Sequence, residues 1–118
     1  MVFLFIRGIA TALTGLAMTS VGKVSAMNEI KRSKTEELPI SHKCEHEGYE
    51  YFRRKFIPFG GAKNTLVSIY EIPPGKAAYP YHFHYKNEET FYILSGVGIL
   101  KTPKGEHTIA AGELLFFP

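Results

Sequence analysis

From residue 49 to residue 118, apolar and polar positions alternate in short runs broken by Gly and Pro, the period of β-strands rather than of helices. The first run, Tyr49–Ile57, is rich in aromatic residues and stops at Pro58. Gly60 and Gly61 turn the chain into residues 65–72, where Leu66, Ser68, Tyr70 and Ile72 share one face and Val67, Ile69 and Glu71 the other. Pro73-Pro74-Gly75 ends that run, because Pro cannot donate to a ladder and Gly accepts positive φ. Residues 90–94, 97–102, 106–110 and 113–117 follow as strands, separated by Ser95-Gly96, Pro103-Lys104-Gly105 and Ala111-Gly112. Short strands at this spacing predict an all-β sandwich or barrel over residues 49–118. The chain has no internal repeat and no phosphate-loop or dinucleotide glycine pattern.

The first 48 residues have a different character. Residues 1–26 are small and apolar, with Arg7 and Lys23 as their only charges. They read as a secretory signal ending in Val24-Ser25-Ala26, as a membrane anchor, or as an upstream extension before a working start at Met27. A helix, if the chain has one, is expected around residues 9–19. This segment lacks the alternation needed to pair with a sheet, so the β-domain is expected to be indifferent to its removal. Residues 27–48 are a polar lead-in, with a short strand near residues 38–41. His42, Cys44 and His46 alternate there and would share one side of an extended chain. No closing ligand pair follows them at zinc-finger spacing, so a solvated segment is the simpler reading.

Composition narrows the chemistry. All eleven acidic residues are Glu, which excludes an EF-hand loop, an Asp-based triad and an Asp proton dyad. The single Cys, Cys44, permits neither an internal disulfide nor a Cys-rich zinc site, which favours a reducing compartment and a cytoplasmic location. Export or anchoring through residues 1–26 is the alternative. The net charge of +3 resides largely in that segment, and residues 27–118 carry 12 basic against 11 acidic residues. Arg53, Arg54 and Lys55, among aromatics, could face a nucleic acid. The near-neutral balance favours a solvated strand edge instead, and no nucleic-acid partner is expected.

One cluster concentrates metal-ligating groups: Pro80-Tyr81-His82-Phe83-His84-Tyr85-Lys86-Asn87-Glu88-Glu89. On an extended strand His82 and His84 face the same way, and two neutral imidazoles suit a borderline divalent metal. Glu89 supplies a carboxylate if the chain turns at Lys86-Asn87 and the next strand begins at Glu89. Hydrogen-bonded histidines with no metal are the competing reading of the same spacing. Tyr79, Tyr81, Phe83 and Tyr92 line a pocket or fill a core. Glu88 reads as an exposed turn carboxylate, and His107 is given no role.

The frame around the cluster resembles the first motif of the cupin family: Gly75, His82-x-His84 after six residues, Glu89 after four more, and Gly96 after a further six. The family usually has five residues before its first His. The run Phe91-Tyr92-Ile93-Leu94-Ser95-Gly96-Val97-Gly98 is similar to the family's strand and tight turn, and Gly112 to Pro118 to the start of its second motif. The resemblance implies a jelly-roll or double-stranded β-helix barrel, incomplete at the C-terminus because the second-motif His and the strands after it do not follow Pro118. It also implies a divalent metal (Mn, Fe, Zn or Ni) on His82, His84 and Glu89. A small-molecule ligand is expected, with dioxygenase or sugar isomerase/epimerase chemistry as the catalytic options. The alternative is a metal-free binding or structural module. Exposed strand edges in such a barrel would favour a homo-oligomer.

Overall fold

The computed structural model describes residues 2–6 and 30–118. The strands among the described residues are β1 (Val2–Ile6), β2 (Ile40–His46), β3 (Tyr49–Ile57), β4 (Leu66–Glu71), β5 (Glu89–Ile93), β6 (Val97–Thr102), β7 (Gly105–Ala110) and β8 (Leu114–Phe117). A 3₁₀ turn, Thr35–Glu37, precedes β2, and the described part of the chain is all-β as its alternation requires. Among the described residues no helix is long and apolar enough to cross a membrane. The helix expected around residues 9–19 lies outside the described residues.

Six strands form one sheet in the order β2-β3-β4-β1-β5-β8, and β6 and β7 form a separate hairpin. β2, β3 and β4 run antiparallel in sequence, with Arg53 opposite Tyr70 and Phe52 opposite Glu71. β5 pairs antiparallel with β8, Phe91 opposite Leu115. The polar lead-in thus contributes a full edge strand, β2, where only residues 38–41 were expected to extend.

The period of two decides which side chains meet. Tyr51 and Arg53 on β3 share a face with Tyr70 on β4, and Tyr51 and Tyr70 are both buried. Ile72, Ala78 and Phe91 pack around them. The opposite face carries Phe52, Arg54, Ile69 and Glu71, which line a shallow depression beside Thr35 and Ile40. With Ile93, the two tyrosines are the only buried hydrophobic residues described, so the core is thin and centred on phenol rings.

At the other end, Gly112 allows the hairpin to return to the sheet. Its φ of 91° lies where other residues are strained. There its N–H donates to the Ile93 carbonyl at 2.8 Å, and Ile93 N–H donates to Glu113 O at 3.0 Å. β8 therefore lands on β5, with Phe117 packed on Phe91 at 4.8 Å between ring centroids.

The expectation that residues 1–26 stand apart from the sheet is overturned at their start. β1 runs parallel between β4 and β5, with Val2 opposite both Leu66 and Glu89. The missing alternation did not prevent pairing because the ladder is made by backbone N–H and C=O groups, whatever the side chains. VFLFI carries the continuous apolar pattern common in parallel strands. Deleting residues 1–26 should therefore lower the melting temperature by more than about 5 °C, since about 1 kcal/mol shifts a domain of this size by several degrees. An unchanged thermal melt would show that β1 contributes nothing to the sheet.

Candidate functional site

The connection from β4 to β5, residues 72–88, carries the chemistry, and three local features fix its course. Pro73-Pro74-Gly75-Lys76 closes a turn in which Lys76 N–H donates to Pro73 O at 3.2 Å and Gly75 takes φ 75°. Ala77 then bonds the end of the β2–β3 hairpin: its N–H donates to Gly48 O and its carbonyl accepts from Glu50 N–H, both at 3.0 Å. Tyr79 follows and packs its ring against both Tyr51 and Tyr70, at centroid distances of 5.0 and 6.0 Å, while those two rings lie 5.1 Å from each other.

The three phenols form a directed hydrogen-bond chain. Tyr79 donates to the Tyr51 hydroxyl at 2.9 Å. Its one proton being used, the 2.9 Å contact with Tyr70 has Tyr70 as donor. Arg53 Nη1 in turn donates to Tyr70 Oη at 3.3 Å, and its guanidinium lies over the Tyr51 and Tyr70 rings at 5.9 and 5.8 Å. Burial, reinforced by the bonds to Tyr51 and Tyr70, pushes the Tyr79 hydroxyl far above the usual tyrosine range. It therefore stays protonated and keeps donating.

Beyond this pin lie the sequence-predicted ligands. His82 and His84 are not on a strand: residues 81–88 are irregular, because Pro80 and the turn residues after Tyr85 interrupt any ladder. The two rings nonetheless stand 5.0 Å apart, edge to face, and His82 packs on Tyr79 at 5.7 Å. His82 Nδ1 lies 2.9 Å from Pro80 O. A carbonyl can only accept, so Nδ1 carries the proton and the neutral ring presents its lone pair at Nε2. Glu89 opens β5, as expected, and its Oε1 is 3.2 Å from His84 Nε2. Glu88 is exposed. Among the described residues, no group of three or more His, Cys, Asp or Glu side chains converges on one point. The structure thus joins His84 to Glu89 and sets His82 beside them.

The other sequence candidates fall elsewhere. His42 stacks on Phe52 at 4.2 Å and bonds Glu50 at 3.0 Å, while Cys44 is exposed, so that trio does not assemble. Arg54 donates to Leu38 O at 2.8 Å, and with Arg53 on the tyrosines the basic run is largely tied to its own chain. Phe83 is exposed against Tyr85. Tyr81 is also exposed and borders an open depression of about 420 Å³ with Lys101, Thr102 and Glu106 at the tip of the β6–β7 hairpin. Sequence reasoning missed the cluster of Tyr51, Arg53, Tyr70 and Tyr79. The parity of β3 and β4 was the available signal, but the cluster also needs the connection folded back over the sheet.

Residues 68–118, from the middle of β4 to the last residue, match the family model of the cupin domain. This part of the chain is a cupin domain. The matched segment contains the whole connection with His82, His84 and Glu89, while Tyr51 and Arg53 lie before it. No curated protein and no solved structure matches the chain. The strands β5 to β8 of this matched segment are accordingly those of a cupin jelly-roll.

The phenol chain, which ties the cupin segment to β3, should be measurable as stability. Tyr79→Phe keeps the ring but removes both hydroxyl bonds, and should cost about 1–2 kcal/mol in urea denaturation. The folded state also holds the Tyr79 proton at pH values where the unfolded chain releases it. Its contribution is thus complete below about pH 10 and is lost as pH rises further. The wild type should lose stability above about pH 10 more steeply than Tyr79→Phe, and parallel pH profiles would show that the phenol chain is not formed.

Proposed function

We propose that this cupin domain binds a divalent metal ion through His82, His84 and Glu89 and presents it to a small-molecule ligand. The observation that carries the reading is the 3.2 Å separation of His84 Nε2 and Glu89 Oε1. Two donors bonded at about 2.1 Å to one ion, at tetrahedral to octahedral angles, stand about 3.0–3.4 Å apart. The tautomer of His82 adds support, because its carbonyl-bonded Nδ1 leaves Nε2 as the ligand nitrogen, the usual outer-sphere arrangement of metal-binding histidines. Two imidazoles and one carboxylate suit Mn, Fe, Ni or Zn. When bound, the ion would supply Lewis-acid or oxygen chemistry, of the kind used by dioxygenases and sugar isomerases or epimerases. The chain's own residues hold and orient: the Tyr79 pin places the histidines, Glu89 fixes His84, and the depression beside Tyr81 leaves room for a ligand.

The same contact also supports a second reading. With no metal, His84 and Glu89 stand as a polar pair at 3.2 Å, which suits a metal-free binding module. Calorimetric titration with Zn²⁺ or Mn²⁺ separates the two. The metal reading expects one ion per chain, with affinity reduced at least about 100-fold in the double variant His82→Ala/His84→Ala and by 10-fold or more in Glu89→Gln. No heat of binding in the wild type, or unchanged affinity in the double variant, would leave the metal-free reading.

Self-association is part of the proposal. β8 is an edge strand of the six-stranded sheet, and Leu114 and Phe116 on it are 71% and 61% exposed. Unpaired backbone beside exposed apolar side chains favours pairing with a second copy. Sedimentation should give a dimer or larger species that Phe116→Glu shifts toward monomer, and a monomer at all concentrations would contradict this.

A further inference from the structure

The face of the sheet turned away from the tyrosines carries a depression of about 260 Å³, lined by Thr35, Ile40, Phe52, Arg54, Ile69 and Glu71. Strand pairing assembles it. Phe52 and Arg54 on β3 lie opposite Glu71 and Ile69 on β4, and Ile40 on β2 lies opposite Arg54. The 3₁₀ turn before β2 brings Thr35 to the same place. The Phe52 ring is held, because His42 stacks on it at 4.2 Å and is itself bonded to Glu50. His82, His84 and Glu89 take no part in this depression.

Two opposite charges line the depression without meeting. Arg54 and Glu71 are diagonal neighbours across the β3–β4 ladder, a placement that sets their side-chain origins about 7–8 Å apart. No ion pair joins them, and Glu71 has no ion pair or hydrogen bond among the described residues. The Leu38 carbonyl, which accepts from Arg54 Nη1 at 2.8 Å, orients the guanidinium. That bond leaves Nε and Nη2 without an acceptor among the described residues, and neither atom is among the unpartnered ones cut off from water. Both charges are therefore open to the depression: Arg54 keeps solvated donors, and Glu71 is exposed.

We propose that this depression binds an α-amino acid with an apolar side chain, its carboxylate on the open donors of Arg54, its ammonium on Glu71, and its side chain over Ile40, Phe52 and Ile69. An α-amino acid carries both charges on one carbon, so a single small molecule meets both residues at once. A guanidinium matches the two oxygens of a carboxylate, and a carboxylate accepts from an ammonium. Apolar walls with a few placed polar groups are the usual make-up of a small-ligand site. The bond to Leu38 holds Arg54 away from Glu71, so the two charges are set apart before the ligand arrives. The proposal is independent of the metal reading.

The test is an NMR titration of the full chain with L-leucine, with isocaproate, which lacks the ammonium, and with isoamylamine, which lacks the carboxylate. EDTA is present throughout, so that no metal can hold the amino acid. Leucine should bind at least about tenfold more tightly than either analogue and shift the resonances of Phe52 and Ile69, because each analogue leaves one charge of the site unpaired. Arg54→Met should bring leucine down to the level of isoamylamine, and Glu71→Gln, a change at an exposed position, down to that of isocaproate. Equal affinity for the three probes, or no leucine binding at all, overturns the proposal without any variant being needed. So does leucine binding that is unchanged in Glu71→Gln or in a folded Arg54→Met protein. Leucine-induced shifts at Tyr81, His82 or His84 with none at Phe52 or Ile69 would put the amino acid elsewhere and overturn it equally.

Discussion

The packing of one phenol against two others holds this domain's candidate site in place. The partly exposed Tyr79 ring caps the buried pair of Tyr51 and Tyr70, and its hydroxyl is bonded to both of theirs. A connection of this length has every entropic reason to leave the sheet. It is held by this packing and by the two backbone bonds of Ala77 to the hairpin end. Everything chemical in the cupin segment hangs from those contacts, because His82 follows Tyr79 by three residues and packs against its ring. The same three phenols also serve stability, as two of them are among the few buried hydrophobic residues described.

Such a core has consequences for electrostatics. Phenols bury well but keep a donor and an acceptor, so each must find a partner. Here they find one another and Arg53, and His82 packs on Tyr79 in the middle of the chain of donors. Glu89 stands 3.2 Å from His84, a separation that fits two ligands of one ion. Metal binding at this position would need little movement of either group.

Much of this architecture was legible in the sequence because strands announce themselves by period and punctuation. Tyr49–Ile57 and Val97–Thr102 have the predicted bounds, and the remaining strands from residue 65 onward start or end within a residue or so. The Tyr70–Ile72 face and the role of Glu89 at the start of β5 follow from the same parity. The failures share a cause, which is that they depend on where separate segments meet. Alternation placed His82 and His84 on a strand, but Pro80 leaves them irregular, and they come together with His82 packed on Tyr79 and His84 on His82. β1 was missed because its continuous apolar run shows no alternation, and pairing through backbone groups does not require one. The tie between Arg53 and the tyrosines was hidden by its neighbours in sequence, which made it look like part of a solvated basic run.

The central claim is that the Tyr79 pin positions the histidines, and ring-to-ring nuclear Overhauser effects read it directly. The wild-type chain should show cross-peaks from Tyr79 to Tyr51 and to His82, and from His82 to His84, at the 5.0, 5.7 and 5.0 Å centroid distances of the structure. In Tyr79→Ala the His82–His84 cross-peaks should vanish while those between Tyr51 and Tyr70 persist. Retention of the His82–His84 cross-peaks in that variant would show that the site is held together without the pin and would contradict the account.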